Sequence, residues 1–284
     1  MRDDLGVMSL RRRLALLCLA VCAMVLVGCG GGDTLALDPV ANAASKTAET
    51  DSARIAVSAT VNIGSTGTMT MDGRGIFDGR SKKGWMNMNF SLPESAQAQL
   101  GGRSSSMEMI FDGQDGFVMY MRSPLFQQQL GSDKWIKMDL EELAKKQGVD
   151  VGSLLNANQA DPNQTLKMLM ASSDARVSGS DTVRGVRTTR YSFRVDLRRL
   201  ADDNKALRES LDNVIQTMGV DAYPAQAWID AQGRVRRLKV AMSMNTPQGP
   251  ASMTMTEDLY DFGAPAEIVP PADDEVVDLS SLMG

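Results

Sequence analysis

Methionine is the residue whose placement could do chemistry. Seven M-x-M pairs hold fourteen of the chain's twenty methionines: Met69 and Met71, Met86 and Met88, Met107 and Met109, Met119 and Met121, Met168 and Met170, Met242 and Met244, Met253 and Met255. Two chemistries use thioethers at this spacing. Sulfur of this kind is a soft donor, and a cluster of it can hold Cu(I). It is also polarizable and carried on an unbranched stem, which suits a surface that must accept apolar shapes of varied outline. Copper motifs concentrate in one segment or add histidine. Here the pairs are spread along the chain, and the chain has no histidine. The spread favours a wide apolar wall, with methionine as ordinary core filler the plain alternative.

The missing histidine also excludes Ser-His-Asp and Cys-His catalysis and most zinc sites. No carboxylate pair stands out as an acid and base, and "DGQDG" at 112–116 reads as a turn. "DFG" at 261–263 comes without the other kinase motifs and reads as a strand end and turn. No catalytic residue, metal or cofactor is expected. The net charge of −5 comes without a basic stripe, so nucleic acid is not an expected partner. The local basic cluster "RVRRLK" at 234–239 reads as a solvated strand face, with contact to anionic headgroups the minor reading.

The elements that must position these residues follow from periodicity. Asp38-Pro39 opens an expected helix over 38–50, Pro taking its first position. Period-two alternation then predicts strands at 53–63, 67–78, 83–91, 105–112, 116–122 and 134–138, with Gly and Asp between them as hairpin turns require. Helices are expected at 139–148, 161–172 and 202–218. Strands return at 174–181, 185–196, 224–231, 234–244 and 251–261. Residues i and i+2 of a strand share a face. Six M-x-M pairs therefore bear on one face, with Met168 and Met170 set aside as helical. That face carries Met69, Met71, Met86, Met88, Phe90, Met107, Met109, Phe111, Phe117, Met119, Met121, Leu238, Val240, Met242, Met244, Met253 and Met255. Thr68, Thr70, Asn87, Asn89, Glu108, Arg237, Lys239, Ser243, Thr254 and Thr256 take the other. The expected fold class is α+β, with a one-sided antiparallel sheet that is apolar within and wet without.

The N-terminus is a separate unit. Arg2 and Arg11 to Arg13 precede an apolar run, Leu14 to Val27, too short to span a bilayer and fitting a secretory leader. Leu26-Val27-Gly28-Cys29 resembles the bacterial lipobox, which implies a diacylglycerol thioether on Cys29 and an acylated amino group. Export by the general or the twin-arginine route, and a start at Met1 or Met8, stay open. Cys18 and Cys22 fall in the leader, so a disulfide is not expected.

"VRGVRTTRYSFRVDL" (183–197), "AWIDAQGRVRR" (227–237) and "YDFGAPAEIVPP" (260–271), in this order and spacing, resemble the LppX/LprG family of actinobacterial lipoproteins, within the LolA/LolB-like superfamily. The resemblance covers about 38–278. It implies a curved antiparallel half-barrel with helices over its concave side, and a cavity between them that carries lipids or lipidated glycans outside the cytoplasmic membrane. The expected organisation is a leader at 1–28, a lipidated tether at 29–37, a carrier domain at 38–270 and a polar tail at 271–284. The expected partners are lipid or lipoglycan cargo, the membrane through the anchor, and a membrane transporter, with the chain itself a monomer. A sensor or assembly factor that uses the fold to bind protein is the alternative.

Overall fold

The structure is a computed structural model that describes residues 39–64, 67–93, 105–114, 116–124, 126, 131–139, 142, 172–203, 208, 211–212, 215–216, 219–246 and 249–282. Twelve strands form one open sheet: β1 (Ser52–Ile63), β2 (Gly67–Asp78), β3 (Lys83–Ser91), β4 (Ser106–Asp112), β5 (Val118–Arg122), β6 (Trp135–Asp139), β7 (Ser172–Val183), β8 (Val186–Asp196), β9 (Ala222–Asp230), β10 (Val235–Thr246), β11 (Gly249–Tyr260) and β12 (Val276–Asp278). Their order is β12-β6-β5-β4-β3-β2-β1-β11-β10-β9-β8-β7. Two antiparallel meanders, β1 to β6 and β7 to β11, are thus sewn together by the pairing of β1 with β11. The expected strands are present, and so is the α+β architecture of one open, largely antiparallel sheet with helix on its apolar face.

Turn chemistry fixes the register locally. The β7–β8 hairpin closes through Arg184 (φ 47°) and Gly185 (φ 82°), a two-residue loop with both φ angles positive. That is the type I′ geometry that matches strand twist, and glycine takes its second position without strain. Strict alternation would send Arg236 to the same face as Leu238. An irregularity in register between Val235 and Arg237 breaks the alternation there.

The helix α1 (Pro39–Ala48) lies on the apolar face. Its small-residue side presents Val40 and Ala43 to Val61, Ala225, Ala227, Val240 and Met242. Small residues let the helix axis sit close to the sheet. Thr47 pins its end: the hydroxyl donates to the Ala43 carbonyl at 2.6 Å and accepts the Val235 N–H at 2.8 Å. A second helix, α2 (Leu197–Asp203), follows β8. The described positions 208, 211, 212, 215 and 216 of the expected 202–218 helix are helical, and Ile215 is buried. Of the expected helix at 139–148, Asp139 instead closes β6 and Glu142 is helical, and of the one at 161–172, Ser172 instead opens β7; the rest of both lies outside the described residues. Among the described residues no helix is long and apolar enough to cross a membrane.

The expected polar tail does not stand apart from the sheet. After β11 the chain passes the start of β1, where Ser52 donates to the Ala264 carbonyl at 2.5 Å and Gly263 donates to the Ser52 carbonyl at 2.8 Å. It then reaches the far edge, where β12 pairs parallel with β6. The short helix α3 (Leu279–Leu282) follows, and its Leu279 packs on the apolar face. Val276 and Val277, too short a run to register as a strand alone, complete an edge that already has a partner.

Candidate functional site

The apolar face divides into two clusters. One lies under α1 and takes Val240, Met242 and Met253 as buried members, with Met69 and Leu238 partly buried beside them. The other is the methionine cluster. Met71, Met86, Met88, Met109, Phe111, Met119 and Met255 are buried in it, and Phe90, Met107, Phe117 and Met121 are partly buried against it. Strand pairing brings the methionines into rows: Met86 opposite Met109, Met109 opposite Met121, Met88 opposite Met107. On the backbone, Met244 pairs with Ala251; its side chain lies outside the described residues, as does Cys29.

The expected list missed several members of the same face. Ile55, Val57, Ala59 and Val61 of β1 alternate inward and are buried. Met138 of β6 stands opposite Met119 and is buried. The alternation in "WIKMD" and in "RIAVSATV" carried that information, without a paired methionine to mark it.

Two glycines explain why flexible side chains suit this wall. Gly73 and Gly75 of β2 face inward at the positions paired with Met88 and Met86. A methyl group on Gly73 would overlap the Met88 sulfur. On Gly75 it would overlap the Trp85 carbonyl oxygen and lie 3.1 Å from the Met86 Cα. Glycine inside a strand marks a close approach, and here the unbranched Met88 stem crosses the notch. A side chain branched near the backbone could not lie there as readily. Each buried methionine contributes about 1.5–3 kcal/mol by area removed from water, an upper figure.

One member of the inward face is not apolar. Met253, Met255, Glu257 and Leu259 alternate on β11, and Glu257 is 4% exposed. It pairs across the strands with Val57 and Leu238. Burial in this setting, and then the charge of Asp258, push its carboxyl up to about 7. No carboxylate was expected on this face, although the spacing in "MTMTEDL" places it there.

The outer face is rich in ion pairs, and Ile110, Trp135 and Trp228 are buried on it beside them. Asp258 takes the Arg237 guanidinium in two hydrogen bonds, 2.6 and 2.9 Å, and Arg184 Nε in a third at 3.0 Å. Burial alone would raise its pKa; the bonds and charge of Arg237, then Arg184, outweigh that and hold it below the usual carboxylate range. Arg184 also stacks on Tyr260, 4.0 Å from the ring centroid. Asp230, its side chain fully buried, binds Arg236 at 2.7 Å and Arg234 at 3.2 Å, and both guanidiniums lie over the Phe262 ring. Three arginines of the "RVRRLK" cluster are therefore committed to internal carboxylates, so it is not the simple solvated face expected from the sequence. "DFG" is a turn after β11, with Asp261 (φ 48°) and Gly263 (φ 79°) reversing the chain. Farther along the sheet, Glu108 accepts from Trp85 Nε1 at 2.8 Å and Arg122 at 2.7 Å. Among the described residues no group of three or more Cys, Asp or Glu side chains could hold a metal ion.

No protein-family model matches the chain. A curated relative, an uncharacterized 31.2 kDa protein in the rplA-rplJ intergenic region of Streptomyces griseus, is 26% identical over 233 residues, 80% of this chain and 74% of the relative. Among solved structures the chain is similar to LprF from Mycobacterium bovis, with 14% identity, 82% of this chain and 95% of that one covered, and a TM-score of 0.43. It is similar as well to the lipoprotein LppX from Mycobacterium tuberculosis, with 13% identity, 81% and 96% covered, and a TM-score of 0.44.

Proposed function

We propose that this protein is a lipoprotein, anchored through Cys29 on the outer side of the cytoplasmic membrane, that binds lipids or lipoglycans against the inward face of its sheet and carries them. It works by binding and not by catalysis. The observation that carries this reading is the inward face itself. A wall of methionine and phenylalanine runs from β5 through β2 to β11, while the opposite face carries the ion pairs, with Ile110, Trp135 and Trp228 as its buried apolar members. A core that only had to be stable would gain from branched residues with defined shapes. A wall that must yield to acyl chains of different length gains from thioethers on flexible stems. The lipobox-like start and the LppX/LprG-like stretches of the sequence point the same way.

The test is the content of the protein. Purified without added lipid, it should release lipid into organic solvent at a constant molar ratio, identifiable by exact mass. Protein that comes out empty, and stays empty after incubation with total membrane lipid, would sink the reading and favour a protein-binding role.

A further inference from the structure

Among the described residues no polar contact that holds the fold together runs through Glu257. It sits at the seam of the two apolar clusters, between Val57 of the methionine cluster and Leu238 of the one beneath α1. Among the described residues no hydrogen bond or ion pair reaches its carboxyl. Among the described residues no fully sealed side-chain oxygen lacks a partner, so the Glu257 carboxyl oxygens keep a small opening. The neighbouring charges turn away. Asp258 and Arg237 pair on the outer face, Lys239 is exposed, Arg54 reaches Asp261, and Lys46 of α1 lies over Gly233 at the β9–β10 turn. A carboxyl held in an apolar wall without a partner is costly. An apolar residue of similar size would fit better if packing were the only demand.

Resting on the lipid-binding reading, we infer that Glu257 is the polar recognition point of the wall and takes the uncharged hydroxyl of a lipid headgroup, of the kind a diacylglycerol or a glycolipid carries. A hydroxyl can satisfy the carboxyl in either protonation state, donating to the carboxylate or accepting from the acid. An ammonium headgroup brings three N–H donors, and the surrounding Val57, Leu238, Met255 and Leu259 offer none of them a second acceptor. An anionic phosphate would meet a carboxyl with no cation beside it. A burial that pushes the carboxyl up to about 7 agrees with a site built for a neutral partner.

Four fluorescence titrations on the delipidated protein test this. The probes are a pyrene-labelled diacylglycerol, its acetate ester, which lacks the hydroxyl, pyrene-labelled phosphatidylethanolamine, and diphenylhexatriene, a hydrocarbon. The protein should prefer the diacylglycerol over the acetate by about tenfold, the worth of one buried hydrogen bond. Glu257→Leu should bring the two lipids to equal affinity and leave diphenylhexatriene binding unchanged. Glu257→Gln, whose amide still bonds a hydroxyl, should keep most of the preference. A Glu257→Leu protein that retains the preference, or a wild type that has none, overturns the assignment of Glu257 while lipid binding stands. A wild type that prefers pyrene-labelled phosphatidylethanolamine over diacylglycerol overturns the choice of a neutral headgroup. Failure of all the probes, diphenylhexatriene included, overturns the lipid-binding reading itself.

Discussion

Glu257 and Asp258 are consecutive on β11 and point to opposite faces of the sheet, and their surroundings drive their acidities apart. Asp258 lies between two guanidiniums, Arg237 and Arg184, and stays ionised. Glu257 lies between Val57 and Leu238, and burial pushes it up to about 7. One strand thus carries a structural ion pair on its outer side and an unpaired acid on its inner side.

Stability should fall as pH rises from about 5 to about 7. The Glu257 pKa is raised on folding, from 4.5 to about 7, so between those values the folded protein holds a proton that the unfolded chain has released. The favourable term is complete below 4.5 and lost as pH passes through about 7, on the order of 3 kcal/mol if the whole shift is realised. The chain has no histidine to obscure this window. The lowered carboxylates Asp258, Asp230, Glu108 and Asp78 act below it, losing their contribution only as pH falls toward their own low values. Urea midpoints at pH 5 and pH 8 should differ for the wild type and converge for Glu257→Gln. Equal pH slopes in the two proteins would refute the assignment.

Asp258→Ala should destabilise more than Arg184→Ala. Removing the carboxylate leaves two guanidiniums without their partner, whereas removing Arg184 leaves the two-bonded Arg237–Asp258 pair in place. Both arginines reach water in part, so the cost of the first is about 2–4 kcal/mol, under the range for a fully buried pair, and of the second about 1 kcal/mol. Chemical denaturation ranks them, and the reverse order would mean that Arg184 anchors the β7–β8 hairpin by stacking on Tyr260 rather than by charge.

Gly75→Ala should be worse than Gly73→Ala. At Gly75 the added methyl meets the Trp85 carbonyl and the Met86 backbone, which cannot move without disturbing the β2–β3 pairing. At Gly73 it meets the Met88 sulfur, the mobile part of a flexible side chain. Overpacking of the first kind costs about 1–3 kcal/mol, and the second should cost less. Pairing Gly73→Ala with Met88→Ala should restore part of the loss, which a double-mutant cycle reads directly.

Mild peroxide should oxidise the methionines in two classes. Met69, Met107 and Met121 are partly exposed and should react first; Met86, Met88, Met109, Met119 and Met255, all under 5% exposed, should lag. A sulfoxide is polar and disrupts an apolar wall, so lipid release should track the first class while the far-ultraviolet spectrum is unchanged. Peptide mass spectrometry separates the classes. Simultaneous oxidation of both would show that the wall opens on the timescale of the reaction.

Cys29→Ala should abolish lipidation. Acyl chains contribute about 0.8 kcal/mol per buried CH₂, and two or more hold a protein on a membrane. The variant should appear as uncleaved precursor or as released protein in cell fractions. Mature protein still bound to the membrane would exclude the anchor.

The residues of β1 to β11, and the face most of them take, were legible in the amino-acid order because alternation is a property of the local chain. Met86, Met109 and Met255 could be assigned inward from their neighbours two places away. By the same parity Glu257 was already bound to fall on the apolar face, but an acid among methionines does not register as part of an apolar pattern. What the order of residues could not settle is who stands opposite whom. Asp258 is paired and Glu257 is not because β10 lies beside β11 and because the β7–β8 turn brings Arg184 back to Asp258 from 74 residues away. Nor does local sequence show that Val276–Asp278 becomes an edge strand beside β6, or that Gly73 leaves room for the Met88 side chain. Those outcomes depend on strand order and on the packing of distant side chains, and only the folded sheet decides them.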